Sequence, residues 1–479
     1  MSFNEEFTSD IKRNDTDALP KAIIAGLRTD HRSSSDDDFA ADFDHSMKEM
    51  IALTEACDLE VCASISQTLD HPDNATYIGK GKAHELAELV SQYHAEYCVF
   101  ESNLSPSQMK NLQEIVGVPV WDRTNLILEI FSRRARTRES RLQVESAYLQ
   151  YMLPRLTGRW QHLGRQGGGS GSRSNKGIGE TQIELDRRHI NHRIAELSKE
   201  LEVISRTRDV QRAGRNRGDL PSVALVGYTN AGKSSLMNKL LSISAELNSK
   251  PTALKSINDS DVIFTNDITT DISTTVDEKL EQKKVFEKNM LFATLDTSIR
   301  RIYTDDHQDF LLSDTVGFIE NLPHGLVKAF RSTLDEVRYA NLLLIVLDSS
   351  DPYHKQHKIV TERTLKDLEA GDIPRIYVMN KSDLLPEDEL RPIKANDNTI
   401  YISTKTGSGI DELLAAIKGA VYSDRCTFKV LLPYSRGDLT DKIHRLGRTD
   451  SEEYTGDGIL ISGECTARLY KEIEAFVIE

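Results

Sequence analysis

An α/β architecture follows from three observations. Val223-Ala224-Leu225-Val226 is a continuous apolar run, as a buried parallel strand shows, and it leads into Gly227-Tyr228-Thr229-Asn230-Ala231-Gly232-Lys233-Ser234. Three further strand-like runs, Phe310 to Ser313, Leu342 to Leu347 and Arg375 to Met379, lie downstream. Upstream, helical and strand patterns alternate through residues 48–123. The predicted fold is therefore a mostly parallel sheet with helices on both faces. A small α/β domain and an antiparallel helical hairpin precede it, and a small α+β domain follows it.

Each segment has its own reason. Residues 1–47 hold five Lys/Arg against eleven Asp/Glu, which reads as a mostly disordered acidic tail. Within 48–123, Ala95 to Phe100 looks like a strand, Ser105 opens an amphipathic helix through Val116, and Val118 to Trp121 looks like a short strand. Residues 124–215 form the hairpin. A helix is expected from Thr124 to Leu153, then a Gly-rich tip around Gly167-Gly168-Gly169, then a long helix from about Glu180. Along that helix Ile183, Ile190, Ile194, Leu197, Leu201 and Ile204 make a heptad seam, which needs a partner helix. Residues 216–422 hold the main sheet, with a polar insertion at about 242–288, and 423–479 hold the small C-terminal domain.

Composition excludes some classes and misleads on one. The 479 residues carry a formal net charge of −15, which on average argues against nucleic acid. Between Phe131 and Gly179 the balance reverses: ten basic residues face only Glu139 and Glu145, a net of +8. Those charges flank a tip whose glycines let backbone approach a partner closely. Arg155, Arg159, Arg165, Gly167, Gly168, Gly169, Arg173 and Lys176 are the candidate RNA contacts. No apolar run approaches the ~20 residues needed to span a bilayer. The acidic N-terminus lacks a signal-peptide core, which points to the cytoplasm. The five scattered cysteines read as reduced thiols, and no histidine pair has the HExxH pattern.

The run from Gly227 to Ser234 fits G-x-x-x-x-G-K-[ST], placed between a strand and a helix from Ser235 to Leu241, the context that makes it a P-loop. Its N–H groups and the helix N-terminus suit phosphates. Lys233 is expected to reach the β- and γ-phosphates and Ser234 to hold Mg²⁺. Asp314, at a strand end, is expected to help hold the metal, and Gly317 to offer its N–H to the γ-phosphate. Asn380-Lys381-Ser382-Asp383 decides the base: a carboxylate at Asp383 accepts both N1–H and N2–H₂ of guanine, a pair adenine lacks. After a strand from Thr399 to Ile402, Ser403-Thr404-Lys405 offers an N–H for guanine O6. The order of these elements predicts a GTP site.

With these residues assembled, the chain resembles the HflX-type GTPases of the Obg/HflX branch over roughly residues 48–479. The upstream segments that carry the resemblance include Tyr77-Ile78-Gly79-Lys80-Gly81-Lys82, Arg134-Ala135-Arg136-Thr137-Arg138-Glu139 and Met152-Leu153-Pro154-Arg155-Leu156. Leu291 to Asp296 looks like the family's switch I, which makes Thr294 a metal ligand in the GTP state, and Asp314 to Phe318 looks like switch II. The resemblance implies binding to the large ribosomal subunit, GTP-dependent separation of stalled or idle ribosomes, and approach of the hairpin tip to ribosomal RNA. It also allows ATP binding by the N-terminal domain. The chain departs from the family pattern in the insertion, in Thr297 where Pro is usual, and in Thr404 where Ala is usual.

Phe318 stands where Ras-like proteins place a water-orienting Gln, so turnover is expected to be slow until the ribosome orders the switches. Asn230 either coordinates K⁺ in place of an arginine finger or only shapes the loop. Three other readings stay open: a GTPase of large-subunit assembly, a slow GTP-regulated RNA-binding scaffold, and an ATP-driven RNA remodeller, which Asp383 does not support. The protein is expected to be monomeric off the ribosome.

Overall fold

The computed structural model describes residues 19–29, 36–156, 175–216, 220–249, 292, 295, 297–305, 308–319, 336–386, 398–423 and 425–478. They divide into two compact units, the first built on the residues up to Ile204 and the second on those from Ser205 onward, with Phe292 joining the first. Among the described residues no helix is long and apolar enough to cross a membrane.

The first unit opens with β1 (Lys21–Thr29), α1 (Asp36–Ala56), β2 (Glu60–Leu69), α2 (Lys80–Tyr93), β3 (Tyr97–Phe100), α3 (Pro106–Val116) and β4 (Val120–Trp121). The strands form one parallel sheet in the order β2-β1-β3-β4. This corrects the acidic tail: residues 21–29 are not disordered but form an inner strand. Ala22 to Leu27 are buried or nearly so, because Ala22-Ile23-Ile24-Ala25 is apolar on both faces, as an inner parallel strand requires. α3 starts as expected at Ser105, whose side chain and that of Gln108 make a reciprocal capping box, and it stops at Gly117 in the left-handed conformation.

The single helix expected from Thr124 to Leu153 is two: α4 (Arg123–Arg134) and α5 (Arg138–Met152). The break has a local cause. Thr137 accepts a hydrogen bond from the Ser140 amide and so caps a new helix, a contribution of about 1 kcal/mol. α6 (Asn175–Asn216) is the long helix. From Ile190 onward its seam packs as expected: Ile190 and Leu197, with Ile194, Leu201 and Ile204 at the flanks, meet Leu142, Leu149 and Leu156, while the Ile183 side chain lies outside what is described. Residues 157–174, with the Gly-rich tip, lie outside the described residues.

The second unit contains β5 (Ser222–Gly227), α7 (Lys233–Ser249), β6 (Ser298–Ile302), β7 (Phe310–Asp314), β8 (Leu342–Asp348), α8 (His354–Asp367), β9 (Arg375–Asn380), β10 (Thr399–Tyr401) and α9 (Ile410–Val421). The sheet order is β10-β9-β8-β5-β7-β6, parallel except that β6 runs antiparallel to β7. Side chains of β5 alternate between two cores. Val223 and Leu225 pack with Leu236, Leu240, Leu413 and Ile417, while Ala224 and Val226 pack with Leu343, Ile345 and Leu365. α7 continues to Ser249, past the helix end expected at Leu241, so the first residues of the insertion are helical; 250–291 lie outside the described residues. An antiparallel sheet β11-β13-β12 follows, from β11 (Arg425–Leu432), β12 (Arg448–Thr455) and β13 (Gly458–Thr466), with α10 (Gly437–Leu446) and α11 (Ala467–Ile473).

Candidate functional site

The C-terminal ends of β5, β7 and β9 meet at one edge of the large sheet, where ligands of open α/β sheets bind. The loop after β5 is built on two glycines. A Cβ on Gly227 would lie 2.2 Å from the Val346 carbonyl oxygen, and one on Gly232 would lie 2.1 Å from Asn380 Nδ2. Both have positive φ, 148° and 90°, so the loop needs glycine at these points for space and for backbone. Asn230 also sits in the left-handed region, φ 60°, and is exposed.

Lys233 begins α7 with its ammonium turned back onto the loop, donating to Gly227 O at 3.0 Å and Tyr228 O at 2.8 Å. Burial pushes its pKa down to about 8, partly offset by the carboxylate of Asp314. Ser234 donates to Asp314 Oδ2 at 2.7 Å, so a hydroxyl and a carboxylate stand side by side at the ends of different elements. That all-oxygen pair fits a hard cation such as Mg²⁺. The segment after β7 is zipped to the loop: Phe318 N donates to Gly227 O at 3.0 Å, and Thr229 N donates to Phe318 O at 2.9 Å. Phe318 itself is buried in the core beside Val226. Thr294 lies outside the described residues.

Asn380 ties the two halves of the site together. Its Nδ2 donates to Ala231 O at 2.9 Å, and its Oδ1 accepts from Thr404 N at 3.2 Å. Asp383 accepts from Ser403 Oγ at 2.7 Å, which fixes its carboxyl beside the loop of Ser403, Thr404 and Lys405. Lys381, left-handed at φ 63°, donates to Asp348 Oδ2 at 2.6 Å. Ser235 is partly buried in the first turn of α7, and Lys405 is exposed.

Sequence reasoning missed three residues here. Asp348 holds Lys381, and Ser349 donates through both its hydroxyl and its amide to Asn380 O. His357 stacks on Tyr228, ring centroids 3.8 Å apart and 9° from parallel. The polar Asp348-Ser349-Ser350-Asp351 run at the end of β8 was the available signal for the first two; nothing local marks His357.

Of the candidate RNA contacts, Arg159, Arg165, Gly167, Gly168, Gly169 and Arg173 lie outside the described residues, and for Lys176 only the backbone, in α6, is described. Arg155 is a correction. Its guanidinium turns inward to Asp122 Oδ2 at 3.1 Å and to the carbonyls of Leu104 and Tyr151. Part of the basic surplus is also spent inside the first unit, Arg133 on Glu129 and Asp58 and Arg138 on Glu200.

Family models match most of the chain: a GTP-binding GTPase N-terminal region over residues 44–132, a GTP-binding GTPase middle region over 134–215, and a 50S ribosome-binding GTPase over 222–272 and 272–381. A GTPase HflX from Caldanaerobacter subterraneus is 38% identical over 435 residues, 91% of either chain. This chain belongs to the HflX family. HflX GTPases of Akkermansia muciniphila and Escherichia coli are 39% and 35% identical, covering 84% and 86% of this chain and 85% and 87% of their own. As an HflX-family GTPase the chain hydrolyses GTP. Among solved structures, a GTP-binding protein from Sulfolobus solfataricus in complex with GDP is 22% identical, spans 85% of this chain and 99% of its own, and superposes with a TM-score of 0.41.

Proposed function

We propose that this GTPase binds the large ribosomal subunit in its GTP state, hydrolyses GTP there, and separates stalled or idle ribosomes into subunits. The observation that carries the reading is Asn380 holding both Ala231 and Thr404, so phosphate loop and base-reading loop form one rigid site. The 50S ribosome-binding description of the family model over residues 222–381 supports the partner.

In this reading the amides from Gly227 to Ser235 cradle the phosphates, and Lys233 leaves its carbonyl acceptors for the β- and γ-phosphates. Ser234 and Asp314, joined by Thr294, would hold Mg²⁺, whose charge would offset that of the γ-phosphate. Gly317 offers its amide to the same group. Asp383 reads guanine N1–H and N2–H₂, an amide of the Ser403-Thr404-Lys405 turn reads O6, and Asn380 and Lys381 brace them. Asn230, exposed on the loop, would coordinate K⁺ in place of an arginine finger. Equal turnover in K⁺ and Na⁺ buffers would remove that role.

Only the GTP state orders both switch segments around the γ-phosphate, so ribosome affinity should differ between nucleotides. Sedimentation of intact ribosomes with the protein tests this. A non-hydrolysable GTP analogue should convert them to subunits and GDP should not. Binding without conversion would favour the subunit-assembly reading.

A further inference from the structure

Water must be positioned for hydrolysis, and Phe318, a core residue 1% exposed, has no group to do it. We propose that the hydroxyl of Thr229 is the water-orienting group; this rests on the guanine-nucleotide site proposed above.

Thr229 is 7% exposed, and its Oγ1 is shut off from solvent with no hydrogen-bond partner among the described residues. Buried hydroxyls are costly to leave unsatisfied, so such an atom beside a reaction site points to a partner supplied during the reaction. The position is the right one. A Cβ placed on Gly317 would stand 2.9 Å from Thr229 Cγ2 and 3.1 Å from Lys233 Nζ. Thr229, Gly317 and the lysine ammonium thus converge on one point, where the γ-phosphate is expected. The methyl that faces Gly317 shares its carbon with the hydroxyl, and one 120° step of χ1 brings the hydroxyl to the place the methyl holds. The backbone does not have to move: Thr229 N is already held by Phe318 O at 2.9 Å.

The water oxygen attacks the γ-phosphorus and forms a new P–O bond. The bond from that phosphorus to the bridging oxygen breaks, its electron pair leaves with GDP, and the water's proton ends on inorganic phosphate. Thr229 Oγ1 accepts a hydrogen bond from the water and donates its own to a γ-phosphate oxygen. It takes no net proton, so a hydroxyl of ordinary acidity suffices. Because the transition state is largely dissociative, positioning of this kind is what the step needs.

Thr229→Val keeps the shape and removes the hydroxyl, Thr229→Ser does the reverse, and Thr229→Ala removes both. With the full chain and large ribosomal subunits, Val and Ala should each lower kcat about 100-fold. KM for GTP and affinity for GDP should stay within about twofold, and Ser should restore kcat to within about threefold of the parent. A Val variant that turns over like the parent, or a Ser variant as slow as Val, overturns the proposal. So does a loss in Val that appears in GDP affinity with kcat unchanged, which would make Thr229 a binding residue. Failure of the parent itself to bind GDP would instead strike the underlying site.

Discussion

The chain builds two parallel sheets, and it uses their strand ends differently. In the first unit most polar groups there are consumed internally, the exception among the described residues being Glu101 Oε2 after β3, which is buried without a hydrogen-bond partner. Asp122, fully buried after β4, accepts from Asn125 N, Tyr151 Oη and Arg155. Burial pushes its pKa up while the Asn125 amide and the Arg155 guanidinium pull it down. Arg123 pairs with Glu49 nearby. In the second unit the polar groups instead bridge separate loops around a backbone kept thin by Gly227 and Gly232. Ser234 meets Asp314, and Asn380 meets Ala231 and Thr404. One architecture thus yields a clamp in one place and the proposed reaction site in the other, where the two glycines keep the backbone thin.

The sharpest way to break this contrast is Lys233→Ala. It should lower GTP turnover about 1,000-fold in a single-turnover assay while leaving the first unit's unfolding unchanged. The converse is Asp122→Ala, which strands the Arg155 guanidinium and should cost about 3–5 kcal/mol in a denaturant titration, with GDP affinity unaltered. In the proposed site Asp383→Asn would replace a carboxylate oxygen that accepts from guanine with an amide that donates. GTP affinity should fall about 100-fold and a xanthine nucleotide should bind better, as competition with a fluorescent analogue would show.

The pH response separates the two regions further. Lys233 titrates at about 8 in the folded chain and at about 10.4 when unfolded. Between these values the unfolded state binds more protons, so the stability of the nucleotide-free chain rises with pH across that window. The ammonium that phosphates need is lost over the same range, so GDP affinity should fall about tenfold between pH 7 and 9. Calorimetric titrations at several pH values measure it, and Lys233→Met should flatten the profile. The smallest effect is expected from His357→Ala. Losing the ring under Tyr228 should cost GDP affinity about 0.5–1.5 kcal/mol.

That the residues of the candidate nucleotide site would meet was legible because each element is a short residue pattern at a strand end, and parallel strands announce themselves as apolar runs. β1 was missed for a physical reason. Its nine residues lie in a stretch whose charge was averaged over the whole acidic segment, and the average hid an inner strand. Arg155 was misread by the same habit: counting basic residues cannot see a buried carboxylate at Asp122, distant in sequence. The break between α4 and α5 turned on one hydroxyl, Thr137, inside a stretch whose apolar pattern hardly changes. His357 is a histidine on a largely polar helix, and only the fold shows that Tyr228 stacks on it. The heptad seam of α6, in contrast, named its own buried face, because a narrow stripe on a long helix has one use.

GTP turnover by the full-length protein, alone and with purified large ribosomal subunits, tests the central claim most directly. Turnover should be slow alone, rise at least about tenfold with the subunits, and vanish in Lys233→Ala under both conditions. Equal rates with and without subunits, or hydrolysis of ATP at the rate of GTP, would contradict it.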